Sequence, residues 1–114
     1  MWKTFPNESG INVNFKSGKI SGKKVAVPDG DIANFALVTA KSDKNQIGLY
    51  LVDLSSSGVE INSLDTFDPS RSHADIVFEN VEARALNNDA WSDIEKLLDQ
   101  SAVLFAFEQV GGAE

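Results

Sequence analysis

The sequence has no cysteine, and that absence removes disulfides, thiolate metal sites and cysteine nucleophiles together. It fits a reducing interior, so a cytoplasmic location is expected. No apolar run approaches the roughly 18 residues of a membrane span. The first residues match neither a signal peptide nor a lipidation motif. No phosphate-cradling glycine loop, zinc-binding helix or nucleophile elbow is present, and nothing repeats at a fixed period. Histidine occurs once, at His73. Its neighbours Ser72 and Asp75 invite a triad, but residues close together on one strand point to opposite faces, whereas nucleophile, base and orienting group must converge. His73 therefore reads as an exposed strand residue.

The 114 residues are enough for one domain with a single core, which would bury roughly two-thirds of the surface of the unfolded chain. The net charge of −7 is unevenly spread. The first 44 positions hold seven of the ten basic residues, all lysines, against four acids, giving +3; three basic residues against thirteen acids leave −10 for the remainder. Lysines without interleaved aromatics or arginine make a poor nucleic-acid surface. Two readings stand: lysines that keep edge strands soluble, or a modest basic strip facing an anionic ligand's phosphates.

Residues 11–15, "INVNF", alternate with period two and read as a half-buried strand, followed by Ser17-Gly18 turn chemistry. Val25 to Val27 form a short strand that Pro28-Asp29-Gly30-Asp31 breaks, since proline fixes φ and glycine tolerates positive φ. Phe35 to Ala40 is continuously apolar, as in a strand buried on both faces. "IGLYLVDL", from Ile47 to Leu54, is the strongest strand pattern. Val59-Glu60-Ile61 alternates again, and Ala74, Ile76 and Phe78 face one way on a last strand. Six or so short strands favour an antiparallel barrel or sandwich.

After Arg84 the period changes. From about Asn88 to Val110, Trp91, Ile94, Leu98, Ala102 and Phe105 recur at spacings of three and four. Asn88 or Asp89 can cap this helix, and Asp93 and Glu95 suit its first turns. At about 1.5 Å per residue it is roughly 35 Å long, too long to hide against a small barrel. Its far end, "AVLFAFEQVGGAE", is apolar on nearly every side. The expectation is a fragment, or a chain that self-associates or needs a partner there. The division expected is a β unit over 1–84 and a helix over 85–114.

Among possible site residues, Asp29, Asp31, Asp65 and Asp68 lack calcium-loop spacing and read as turn aspartates. Asn7-Glu8-Ser9 matches a glycosylation sequon, a pattern chance produces often. Glu108 is the one acid well inside the apolar helix, and reads as solvated or partner-facing.

"GKKVAVPDGDIANFALVTAK", residues 22–41, resembles a middle-domain segment of acyl-CoA dehydrogenases, whose common form is G-x-K-x-W-I-T-N-G-x-x-A-D before an apolar strand. Gly22, Lys24, Gly30 and Ala33 match in register. "IGLYLVD", "SSGVEI" and "DIVFENV" follow in the family's order, and "AFEQVGGAE" is similar to the start of the first long helix of its carboxy-terminal domain. The resemblance runs from about residue 11 to the end. It implies a β-barrel middle domain between helical domains, FAD as cofactor, acyl-CoA as substrate, oligomeric assembly, and α,β-desaturation in which a glutamate removes the α-proton while hydride passes to the flavin. No position here matches that glutamate, so no catalytic residue is expected, and no metal ligand. The resemblance places flavin-facing positions at Ala26, Val27 and Pro28. The family's ring-bearing tryptophan falls at Ala26 and its hydroxyl residue at Pro28. Alanine has no ring to stack, and proline supplies neither hydroxyl nor backbone N–H. "DPSRS" replaces the usual glycine-x-arginine-x-serine loop, with Arg71 displaced. Two expectations follow: a catalytically silent piece of an FAD-dependent acyl-CoA dehydrogenase, or a non-catalytic scaffold of a hetero-oligomeric one that binds no FAD.

Overall fold

A computed structural model describes residues 8–114; Asn7 of the sequon lies outside them. After a short 3-10 turn, Glu8–Gly10, come β1 (Asn14–Lys16), β2 (Lys19–Pro28), β3 (Phe35–Ser42), β4 (Ile47–Asp53), β5 (Val59–Leu64), β6 (His73–Glu82), β7 (Arg84–Asn87) and the helix α1 (Trp91–Ala113). The strands form one open sheet in the order β5-β6-β2-β1-β3-β4-β7. The mainly-β fold with one long C-terminal helix is as the sequence led us to expect. The pairing is largely antiparallel, but β1 runs parallel to β3, with Asn14 opposite Lys41.

Ile76, Phe78, Val38, Tyr50, Val52, Ile20 and Val13 join one buried cluster, although they come from strands far apart in the sheet order. The sheet therefore curls around its inner face. Ala74, Ile76 and Phe78 lie on that face, as their period-two spacing predicts. Phe15 stacks on the Tyr50 ring at 4.1 Å between centroids. Gly48 is required beneath that ring, because a Cβ there would collide with the Tyr50 side chain.

Several sequence expectations are corrected. "INVNF" becomes a strand only from Asn14 onward. The Val25–Val27 strand is part of the ten-residue β2. β3 is buried on one face only: Val38 and Ala40 point inward, while Phe35 and Leu37 are 60% and 61% exposed. Apolar residues on both sides of a strand did not mean two covered faces here. Where the helical unit was expected to begin at 85, Ala85 and Asn87 pair with Tyr50 and Leu49 of β4, so the strand β7 runs on before the helix. The outermost strands β5 and β7 contain no lysine, while the stretch of β2 left unpaired by β1 carries Lys23 and Lys24.

The helix starts at Trp91 with Ala90 as N-cap, and neither Asn88 nor Asp89 caps it through its side chain. Asp89 instead accepts a bond from Gln46 Nε2 at 3.3 Å, while Asn87 Nδ2 donates to Asp93 Oδ2 at 2.9 Å. Ala90 N donates to Ile47 O at 2.8 Å and anchors the helix start on β4. Trp91, Ile94, Leu98 and Ser101 are half-buried at helical spacing; beyond Ser101 every position is exposed, Glu108 included. No helix among the described residues is long and apolar enough to cross a membrane.

Candidate functional site

β1 separates β2 from β3 for only three residues. Beyond it the two long strands part, and Lys24–Pro28 faces Ala36–Thr39 across a cleft of about 290 Å³ floored by Ile76 and Phe78. No ladder joins these two edges among the described residues. Lys24 spans the gap at one end, its Nζ donating to Thr39 Oγ1 at 2.9 Å. Partial burial of this ammonium holds its pKa below the ordinary lysine value.

The shape of the β2 wall comes from a bulge. The register with β6 shifts between Lys24 and Val27, and Ala26 sits in the left-handed region at φ 49°. Asp75 clamps this turn of chain from β6. Its Oδ1 accepts the Ala26 N–H at 3.0 Å, and its Oδ2 pairs with Lys23 Nζ at 2.6 Å. Those two contacts, Lys23 first, keep the Asp75 carboxyl below the usual carboxylate range. The bulge throws Val25 outward, to 67% exposure.

Past the bulge, Pro28 pairs with His73 and ends the strand. Asp29 adopts φ 56° and its N–H donates to Ser72 O at 2.9 Å; Gly30 N donates to Val27 O at 3.2 Å. A Cβ on Gly30 would stand 3.1 Å from Val27 O and 3.2 Å from Ile76 Cδ1, which explains the glycine. Asp31 accepts the Ser72 hydroxyl at 2.6 Å and that of Ser63 at 3.2 Å, and the Ser72 bond is the main reason its carboxyl lies below the usual range. Arg71 reaches Asp29 at 3.6 Å in an exposed pair. The turn aspartates thus tie the Pro28–Asp31 corner to the segment before β6.

Ala26, Val27 and Pro28 all line the cleft. Their chemistry does not match a flavin edge. The Ala26 N–H is spent on Asp75, Pro28 has none, and Val27 is half-buried, leaning on the core. No ring or hydroxyl stands at these three positions. A hydroxyl is present across the cleft, on Thr39, where it accepts from Lys24.

The triad is not assembled: Ser72 turns to Asp31 and Asp75 turns to β2. His73 is half-buried, with Nδ1 enclosed and unpartnered, where the sequence suggested an exposed residue. No group of acidic or histidine side chains suits a metal among the described residues. A larger hollow of about 600 Å³ lies beside the Ser17–Gly18 turn and Glu82–Arg84, with salt-forming groups of both signs on its walls and no convergent set. Sequence reasoning weighed Asp75 only as a triad member and Lys24 only as a register match in the segment at 22–41, and it missed Thr39.

No protein-family model matches the chain, and no curated protein does. Solved structures do match, over about 70% of the chain, and acyl-CoA dehydrogenase family chains are among them. The Tcur3481–Tcur3483 steroid ACAD, in a variant form, shares 28% identity over 68% of this chain, with a TM-score of 0.56. Glutaryl-CoA dehydrogenase from Mycobacterium smegmatis in complex with FADH2 shares 21% over 69%, at 0.54. An acyl-CoA dehydrogenase from Bacillus anthracis complexed with FAD shares 16% over 68%, at 0.55. The matches cover 22%, 22% and 14% of those chains, so this protein corresponds to a portion the size of their middle domain.

Proposed function

We propose that this chain is a middle-domain unit of an acyl-CoA dehydrogenase-type assembly that serves as scaffold and wall and does not itself hold FAD. The observation that carries the reading is the β2 bulge. The positions where the resemblance puts the flavin contacts are occupied by an alanine whose N–H is committed to Asp75 and by a proline with none to give. A buried flavin acceptor left without its donor there would weaken binding by about 1–3 kcal/mol. The fold similarity and the intact strand order support the assembly; the altered wall supports a structural share in it. A cytoplasmic location belongs to the same proposal.

A second reading is favoured by the 28% identity to the steroid ACAD, the highest of the three similarities above. In it the parent protein dehydrogenates an acyl-CoA thioester, and this unit lines one side of its active cleft. Under both readings the chain alone is silent. Mixed with FAD, hexanoyl-CoA and an artificial electron acceptor, it should reduce no dye above the blank. Sustained dye reduction dependent on all three components would overturn the proposal.

A further inference from the structure

The cleft holds a charge that nothing in the described chain neutralises. Lys23, one residue away, pairs with Asp75, and Arg71 pairs with Asp29. Among the described residues, the Lys24 ammonium has the neutral Thr39 hydroxyl as its polar partner, and no carboxylate stands within ion-pair distance of it. The surrounding walls are aliphatic: Val25, Ala26 and Val27 on one side, Ala36, Leu37 and Val38 on the other. A half-buried cation among aliphatic side chains, without a counter-ion, is unfavourable unless an anion completes it.

We propose that the β2–β3 cleft binds a short apolar molecule carrying a carboxylate, with the Lys24 ammonium as its anchor. An ammonium has three donors. Thr39 takes one, and the two that remain match the two oxygens of a carboxylate. A phosphate is a poorer fit, because among the described residues no arginine and no second ammonium lines the cleft. The apolar body lies along Val25 and Leu37, both more than 60% exposed without a ligand, and covers them. At about 290 Å³ the space lies near the lower bound of small-molecule sites, so that body is short. The depressed pKa of Lys24 has the same origin, desolvation without compensation, and binding of the anion raises it. The site goes beyond the proposed scaffold role and does not depend on it, since no flavin or acyl-CoA takes part.

The test is calorimetric titration of the full chain with sodium octanoate and, separately, with octanol. Octanoate should bind saturably and roughly tenfold or more tighter than octanol, which shares its apolar body and lacks the charge. Lys24→Met should abolish the preference, and NMR titration of the Lys24 side chain should show its pKa rise when octanoate is bound. Equal binding of octanoate and octanol, a preference that survives in Lys24→Met, or no saturable octanoate binding at millimolar concentration would each overturn the proposal. If Lys24→Met does not fold, the wild-type comparison of the two ligands decides alone. FAD titration is a separate measurement, so failure here and failure of the scaffold reading are distinguishable.

Discussion

Ala26 is held at φ 49°, in the left-handed region that costs a non-glycine residue roughly 1–2 kcal/mol. Replacing it by glycine removes that cost. Glycine in turn loses about 0.4–1 kcal/mol more backbone entropy on folding than alanine does. The balance for Ala26→Gly is a gain of about 0.5–1 kcal/mol, against the usual loss when glycine enters a strand. For a domain of this size the gain is a rise of about 2–6 °C in Tm. Ala26→Val should move the other way, because a β-branched residue is strained further in this conformation. Far-UV circular dichroism in urea and during heating reads both changes, and neither substitution alters the Asp75 contacts, which use the backbone N–H. A destabilised Ala26→Gly, or an Ala26→Val as stable as the wild type, would show that the bulge is not left-handed at this residue and remove the account of the β2 wall.

Further outcomes follow from the same geometry. Phe78, 2% exposed in the single core cluster, should cost about 3–5 kcal/mol when replaced by alanine, read by urea unfolding; a loss below about 1 kcal/mol would mean the curled sheet does not close over it. Gly58 has φ 90° and a Cβ there would collide with the Glu79 backbone oxygen, so Gly58→Ala should destabilise by more than about 1 kcal/mol in the same assay; an unchanged midpoint would contradict that close approach. Asp75 has a folded pKa depressed below 3.8, first by Lys23 and then by the Ala26 N–H. Its stabilisation is therefore complete above the unfolded value and lost as pH falls through the folded one. Wild-type stability should decline below about pH 4, and Asp75→Asn should show a flatter acid limb; identical limbs would contradict the clamp. With every position of α1 beyond Ser101 exposed, including Phe105, Phe107 and Val110, the purified chain should self-associate in light scattering; a clean monomer at high concentration would count against it.

The parts of this fold that were legible in the sequence are those whose side-chain period meets a simple boundary. Ala74, Ile76 and Phe78 alternate against a single buried face, and Trp91, Ile94 and Leu98 are the half-buried positions at helical spacing near the start of α1. Phe35 and Leu37 misled because an open sheet leaves its outer face uncovered, so apolar content no longer reports burial. The left-handed Ala26 was illegible for a local reason: alanine carries no preference for positive φ, and Asp75, 49 residues away, imposes the conformation. The helix cap failed similarly, since Gln46 draws the Asp89 side chain away and Asn87 engages Asp93. Pro28 was read correctly as the end of a strand because its constraint is intrinsic, whereas the positive φ expected at Gly30 falls on Asp29, and Gly30 is kept small by Val27 and Ile76. Lys24 belongs to a gap between strands that only tertiary structure creates.

The central claim is that the Ala26–Pro28 wall no longer supports a flavin. Titration of the purified chain with FAD, followed by flavin absorbance, tests it most directly. The account predicts an unshifted flavin spectrum and no saturation. Stoichiometric binding in the micromolar range with a perturbed spectrum would contradict it.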